Sequence, residues 1–134
     1  MKGKVIIALG IALLMVAGIG FAMAQEEEGL KVEDAAICTA VKDRAPEGAG
    51  TSFPADVGKL YCFTKIVGAK EETKVKHVWY QGDNELATVE LKVGVGSWRT
   101  NSSKNIEATR KGAWKVEVQD AGGKVLETLN FTIE

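Results

Sequence analysis

Strict alternation of apolar and polar residues constrains the fold of this chain more than any other feature. In residues 87–93 every second side chain is apolar, and the same pattern recurs in residues 114–119 and 129–134. A period of two places the apolar side chains on one face of an extended backbone, so each segment predicts a half-buried β-strand. Beyond the N-terminal region no segment shows the periodicity of an amphipathic helix.

Further segments bring the prediction to about seven short strands. Residues 30–41 supply the first strand, residues 60–67 are apolar on both faces as in a central strand, and residues 75–80 precede a turn. Glycine-containing turns at residues 81–85 and 120–124 predict two hairpins. The predicted fold class is therefore all-β, a small antiparallel β-sandwich of the immunoglobulin-like kind.

Two irregular features interrupt this pattern. Residues 42–57 contain both prolines and predict a long loop, which in a small domain is either functional or flexible. Gly94, Val95 and Gly96 predict a bulge or sharp bend, because glycine weakens a strand interior. The aromatic side chains expected in the core are Phe63, Trp79, Trp114 and Phe131.

The N-terminal segment, residues 1–24, predicts a signal peptide that forms a helix. Two lysines precede a long uncharged run, and residues 22–24, Ala-Met-Ala, fit a signal-peptidase site. An uncleaved membrane anchor is the alternative, because the run is long enough to cross a bilayer. In both cases residues 25–134 are predicted to form one exported β-sandwich domain, periplasmic or extracellular. Only the N-terminal segment, if uncleaved, would contact a membrane.

Cys38 and Cys62 are the only cysteines. An oxidising compartment favours a disulfide between them, which would stabilise the fold by roughly 3 kcal/mol in the chain-entropy model. A redox or metal-binding pair is the alternative, but a Cys-x-x-Cys spacing and a second group of ligands are both lacking. We therefore predict a disulfide and no metal site.

The densest group of unusual side chains lies in residues 77–80 and 98–104. Their aromatic rings, guanidinium, ammonium and hydroxyl groups suit stacking and forked hydrogen bonds to a sugar, a carboxylate or another anionic group. On one strand His77 and Trp79 share a face while Tyr80 points the opposite way, so not all of them reach one ligand. A tryptophan on a sandwich strand can equally belong to the core. The candidate binding residues are His77, Tyr80, Trp98, Arg99, Ser102, Ser103 and Lys104.

Catalysis has weaker support from the sequence. A Ser–His–acid triad would need His77, the sole histidine, with Ser102 or Ser103, but no Gly-x-Ser-x-Gly motif exposes either serine. A serine–lysine pair that uses Lys104 is disfavoured because adjacent residues of an extended segment point apart. We therefore predict no catalytic residue and no cofactor, and we do not expect an enzyme.

Five blocks of sequence follow one another in an order that resembles a known bacterial family. The blocks are residues 43–46, 59–64, 77–80, 98–104 and 112–118. The chain is identified by them as a member of the family of exported domains called domain of unknown function 2914. The resemblance implies a small exported β-rich domain, sometimes behind a membrane anchor, and implies no activity. Asn101 stands where the resemblance implies a tryptophan, which weakens the case for a broad aromatic platform.

Three hypotheses of function follow from these patterns. The first is an exported, non-catalytic module that binds an envelope protein or a glycan, through the candidate residues or by addition of a strand to a sheet edge. The second is a purely structural envelope domain whose aromatic side chains are all internal, and the third is a hydrolase that acts on envelope material. A net charge of -1, from 17 basic and 18 acidic residues, excludes a broadly basic nucleic-acid-binding protein.

Overall fold

The computed structural model describes residues 29–134, and the predicted signal peptide lies outside this range. Ten strands follow in chain order within it. They are β1 (Lys31–Cys38), β2 (Ala40–Lys42), β3 (Ala45–Glu47), β4 (Ser52–Phe53), β5 (Lys59–Ala69), β6 (Thr73–Gln81), β7 (Asn84–Val93), β8 (Gly96–Asn105), β9 (Gly112–Asp120) and β10 (Val125–Ile133). None of the described residues belongs to a helix that could span a membrane.

These strands form two sheets and one small hairpin. The larger sheet has the order β4-β10-β9-β6-β7, the smaller has the order β1-β5-β8, and β2 pairs with β3. All neighbours are antiparallel except β4, which pairs in parallel with the end of β10. The connections β5–β6 and β7–β8 cross between the sheets, whereas β6–β7 and β9–β10 are hairpins. The prediction of an all-β, antiparallel, immunoglobulin-like sandwich is confirmed.

Side chains that alternate along both sheets fill the space between them with two apolar clusters. The first is centred on Phe131, whose ring contacts Trp79 and Phe53 edge-on. Trp114 packs against the same ring with the centroids 5.8 Å apart. Phe63 is also buried, on the outer face of the smaller sheet, so all four predicted aromatic residues are buried. The second cluster consists of Ile66, Ala69, Val75, Val93 and Val118.

The segment predicted as a long loop, residues 42–57, is irregular over most of its length, but it contains the end of β2 and the two short strands β3 and β4. β2 and β3 are joined by a two-residue turn, in which Asp43 and Arg44 have φ angles of 51° and 61°. Two successive residues with positive φ are typical of a type I′ turn, whose twist matches that of a hairpin. The β2–β3 hairpin contacts β1 and β5 on the outer face of the smaller sheet, which accounts for the burial of Phe63 there.

β8 is a strand that no apolar alternation in the sequence indicated. It runs through Gly96–Asn105 and pairs with β5. Its inward-facing residues include Thr100 and Ser102, so the apolar alternation that marks the other strands is absent. The bend predicted at residues 94–96 is present at Val95, where the chain passes from the larger sheet to the smaller one.

The predicted disulfide is absent, because Cys38 and Cys62 are both free and buried. They lie on adjacent strands, but Cys38 is opposite Tyr61 and Cys62 is opposite Ile37. Directly opposite residues share a face of a sheet, while consecutive residues alternate between its faces. The offset of one residue therefore directs the two thiols to opposite faces of the smaller sheet, where their sulfurs cannot bond.

We expect both thiols to react slowly in the folded protein. Burial raises the pKa of the Cys38 and Cys62 thiols, and the thiolate is the reactive form. A chromogenic thiol reagent should therefore modify neither cysteine in the native state and both after unfolding without reductant. Free cysteine serves as the rate standard. Detection of no thiol after unfolding would demonstrate a disulfide and contradict the structure.

Candidate functional site

The predicted binding residues do not form a single patch. His77 and Ser102 lie between the two sheets, and Tyr80 lies on the outer face of the larger sheet. The remaining four lie along the edge strand β8: Trp98, Arg99, Ser103 and Lys104. One small ligand therefore cannot contact all of them.

His77 and Ser102 belong to a buried network of hydrogen bonds. The Nδ1 atom of His77 lies 2.7 Å from Ser102 Oγ, and its Nε2 atom lies 3.2 Å from Thr64 Oγ1. Trp79 donates its indole N–H to Ser102 Oγ at 3.2 Å. The network joins β6 of the larger sheet to β5 and β8 of the smaller one, and it lies between the two apolar clusters.

His77 is buried in its neutral form, and its hydrogen bonds suit that form. A neutral imidazole has one donor and one acceptor nitrogen, and each hydroxyl partner can take either role, so both nitrogens are satisfied. Burial disfavours the charged ring and lowers the pKa of His77 to about 4. The ring therefore carries no charge at neutral pH.

Ser102 and His77 are as close as the nucleophile and base of a catalytic pair, but they lack solvent access and a carboxylate that orients the histidine. The exposed fraction is 5% for Ser102 and 0% for His77, so neither side chain presents a surface to a substrate. The second nitrogen of His77 faces the hydroxyl of Thr64 rather than a carboxylate. Among residues 29–134 there is also no group of three potential metal ligands.

Tyr80 lies on the opposite side of β6, on the outer face of the larger sheet. Its hydroxyl donates a hydrogen bond to Glu117 at 3.4 Å, and the ammonium group of Lys115 lies 4.8 Å from the centre of its ring. Desolvation, together with the charges of Glu117 and Glu85, raises the pKa of Tyr80. This side chain is therefore engaged by its neighbours, away from β8.

The candidates on β8 lie at two separate places along the strand. Arg99 and Ser103 are exposed on the same outer face, but their separation of four residues corresponds to about 13 Å. Lys104, next to Ser103, donates a hydrogen bond to the backbone oxygen of Asn105 at 3.4 Å. Trp98 and Arg99 therefore form a site that does not include Ser103 or Lys104.

A cleft of about 440 Å³ marks the first of these places. Its walls are formed by Ser97, Trp98 and Arg99 of β8 and by Arg44 from the turn of the β2–β3 hairpin. Arg44 was not among the predicted binding residues, because it lies in the segment predicted as a long loop. The block of residues 43–46 in the family resemblance was the one sequence signal that pointed to it.

The indole of Trp98 is held in place at this cleft. Trp98 packs partly against the second apolar cluster, and a Cβ atom at Gly94 would lie 2.6 Å from the ring. Lys92 places its ammonium group 5.9 Å from the centre of the ring, within reach of a cation–π interaction. Because the indole is fixed on its inner side, its remaining exposed surface is a rigid contact surface.

The electrostatics of the cleft are positive. Within residues 29–134 no carboxylate forms an ion pair with Arg44 or Arg99. Lys65, which lies opposite Arg99 in the sheet, is paired with Glu33 at 2.7 Å. In the part of the chain that the structure describes, the two arginine residues that line this cleft beside the indole ring therefore have no carboxylate partner.

Comparison with known proteins gives one family match, which covers the three β8 residues of this site. Residues 72–133 match the model of a family described as protein of unknown function (DUF2914). This part of the chain belongs to the DUF2914 family. The match confirms the family that the sequence blocks predicted, although the blocks at residues 43–46 and 59–64 lie outside the matched region.

The DUF2914 segment runs from the start of β6 to the end of β10, so it contains Trp98 and Arg99 but not Arg44. No curated protein matches the chain. A similar solved structure is that of a selenomethionine-labelled β-glucosidase from Kluyveromyces marxianus, with a TM-score of 0.45 and 12% identity. That match covers 78% of this chain and 14% of the β-glucosidase chain.

Proposed function

We propose that this protein is an exported, non-catalytic binding module that contacts an envelope protein or a glycan through the cleft between the β2–β3 hairpin and β8. The observation that carries the proposal is the half-buried Trp98 beside the exposed Arg99, in a concave surface of about 440 Å³. Aromatic and arginine side chains are enriched among residues that dominate binding energies, especially in pockets. Export follows from the predicted signal peptide.

A second groove supports this choice by contrast. A groove of about 390 Å³ lies between β1 and β10, and its walls are mostly alanine, glycine and threonine with no charged side chain. It therefore offers few groups that could select a partner. The cleft at β8 combines an aromatic surface with directional hydrogen-bond donors, which is the combination that specific recognition requires.

The two rival functions make different use of the same residues. In a purely structural envelope domain no surface would be reserved for a partner, and the exposed Arg99 would have no role. A hydrolase that uses Ser102 and His77 would have to open the core, because both side chains are buried between the sheets. We favour the binding module because its contact residues are already accessible.

Site-specific photocrosslinking tests the proposal. A photoreactive amino acid replaces Ser97, which lines the cleft, or Thr128, an exposed residue on the outer face of the larger sheet that serves as the matched control. Irradiation of cells that export the full-length protein should give a defined adduct at position 97 and none at position 128. Arg99→Gln should reduce the adduct by about tenfold, since a hydrogen bond to a charged group contributes that much to affinity.

A structural domain predicts a different pattern. Equal background at positions 97 and 128, or an adduct at position 97 that Arg99→Gln leaves unchanged, would contradict the proposal. The melting temperature of each variant shows that the fold is retained.

A further inference from the structure

The β2–β3 hairpin carries an arginine at a backbone position that suits glycine. Arg44 is the second residue of the two-residue turn, with a φ of 61°. An L-residue with a side chain is strained in this region, and glycine is preferred at this position of a type I′ turn. Unfavourable backbone conformations that persist are a sign that the side chain serves a function.

The side chain of Arg44 reaches the same cleft as Arg99. The hairpin contacts β1 and β5 of the smaller sheet, and Arg44 in its turn lines the same cleft as Ser97, Trp98 and Arg99 of β8. Two like charges that share a cleft repel each other, and an anion that lies between them offsets this repulsion. Among residues 29–134 no carboxylate supplies that charge.

We propose that the cleft binds an oxyanion, a carboxylate, phosphate or sulfate group of the ligand, between the guanidinium groups of Arg44 and Arg99. The planar fork of a guanidinium donates two parallel hydrogen bonds to such a group, and an ammonium cannot reproduce this geometry. The indole of Trp98 and the hydroxyl of Ser97 contact the part of the ligand that carries the anion. This inference rests on the proposed binding function, and it specifies the chemistry that the site selects.

NMR titration tests the inference on protein that is purified after expression of the full-length chain. Sodium phosphate, sulfate and acetate are added separately, each against sodium chloride at the same ionic strength, and the arms distinguish the three kinds of oxyanion. At least one should give saturable shifts of the Nε–H signals of Arg44 and Arg99 and of the Trp98 indole N–H. Arg110 is an internal control, because its guanidinium is occupied by Glu107 and Gln81.

Two variants of Arg44 separate binding from folding. Arg44→Gly removes the guanidinium and relieves the strained backbone, so it should weaken the apparent Kd by about tenfold without lowering the melting temperature. Arg44→Gln retains the strained backbone and should weaken binding to the same extent. Arg99→Gln should match both.

The outcomes distinguish this inference from the function on which it rests. Shifts no larger than those in chloride, shifts that include Arg110 equally, or binding that survives in Arg44→Gly would overturn the oxyanion site. If crosslinking at position 97 persists while oxyanions do not bind, the proposed binding function is supported and the proposed oxyanion site is refuted. If oxyanions bind but crosslinking fails, the proposed partner contact is refuted instead.

Discussion

Replacing Ser102 with alanine should lower the free energy of unfolding by about 2 to 3 kcal/mol, while the same change at Ser103 should alter it by less than about 0.5 kcal/mol. The two serines are adjacent on β8 and differ only in the face to which they point. Ser102 Oγ accepts the indole N–H of Trp79 and lies 2.7 Å from His77 Nδ1. Alanine at this position leaves both groups buried without a partner.

Chemical denaturation of the two variants measures the difference, and Ser103→Ala is the control for loss of a hydroxyl from the same strand. The slope of the unfolding curve with denaturant should stay the same in both, which shows that the fold is unchanged. Equal stability of the two variants would mean that the hydroxyl of Ser102 contributes nothing to the core, in contradiction to the network described above.

Acidification from about pH 6.5 to about pH 4 should destabilise the protein by roughly 3 kcal/mol through His77 alone. Folding lowers the pKa of His77 from 6.5 to about 4, because the charged ring is disfavoured in the core. Between about pH 6.5 and pH 4, His77 therefore binds a proton in the unfolded chain but not in the folded protein. The contribution of the neutral ring is complete above pH 6.5 and is lost as the pH falls through this window.

The upper part of the window isolates this effect, because His77 is the sole histidine of the chain and most carboxyl groups titrate at lower pH. Between pH 6.5 and 5 the free energy of unfolding should fall by up to about 1.4 kcal/mol per pH unit. In His77→Gln, an uncharged amide that can still hydrogen-bond to the hydroxyls of Ser102 and Thr64, this slope should disappear. A variant with the slope of the unsubstituted protein would place the titrating group elsewhere.

The strands with one apolar face were predictable from the sequence because their periodicity reports burial directly. β7, β9 and β10 alternate between the core and the solvent, and the residues predicted for them lie within the observed strands or one residue beyond. β8 was not predicted as a strand, and the reason is physical. Ser102, one of its inward-facing residues, belongs to the hydrogen-bond network around His77, where a polar side chain is required, so this position carries no hydrophobic signal.

The hairpin and the cysteines show two other limits of sequence analysis. Asp43 and Arg44 do not resemble the Asn-Gly pair that is typical of a type I′ turn, so the hairpin was predicted as a loop. We predicted a disulfide between Cys38 and Cys62 from the expected compartment and the number of cysteines. Neither of these gives information about the register between two strands. A shift of one residue between β1 and β5 decides the matter.

The candidate site was predicted in part. Trp98 and Arg99 lie in an accessible cleft, whereas His77 and Ser102, chosen for their chemistry, lie in the core. Residue type identifies groups that are able to bind or react, but only the packing of the two sheets determines which of them meet solvent. Arg44 comes from a different part of the chain, and its place in the same cleft as Arg99 follows from the contact of the hairpin with the smaller sheet.

The buried network stabilises the fold, and the exposed cleft is proposed to bind a partner. Crosslinking at position 97 separates these two roles. The yield of adduct is measured in Arg99→Gln and in Ser102→Ala, at a temperature at which both variants are folded. We expect Arg99→Gln to lose most of the adduct and to retain its stability, while Ser102→Ala loses stability and retains the adduct. The reverse result, an adduct that depends on Ser102 and not on Arg99, would contradict this expectation.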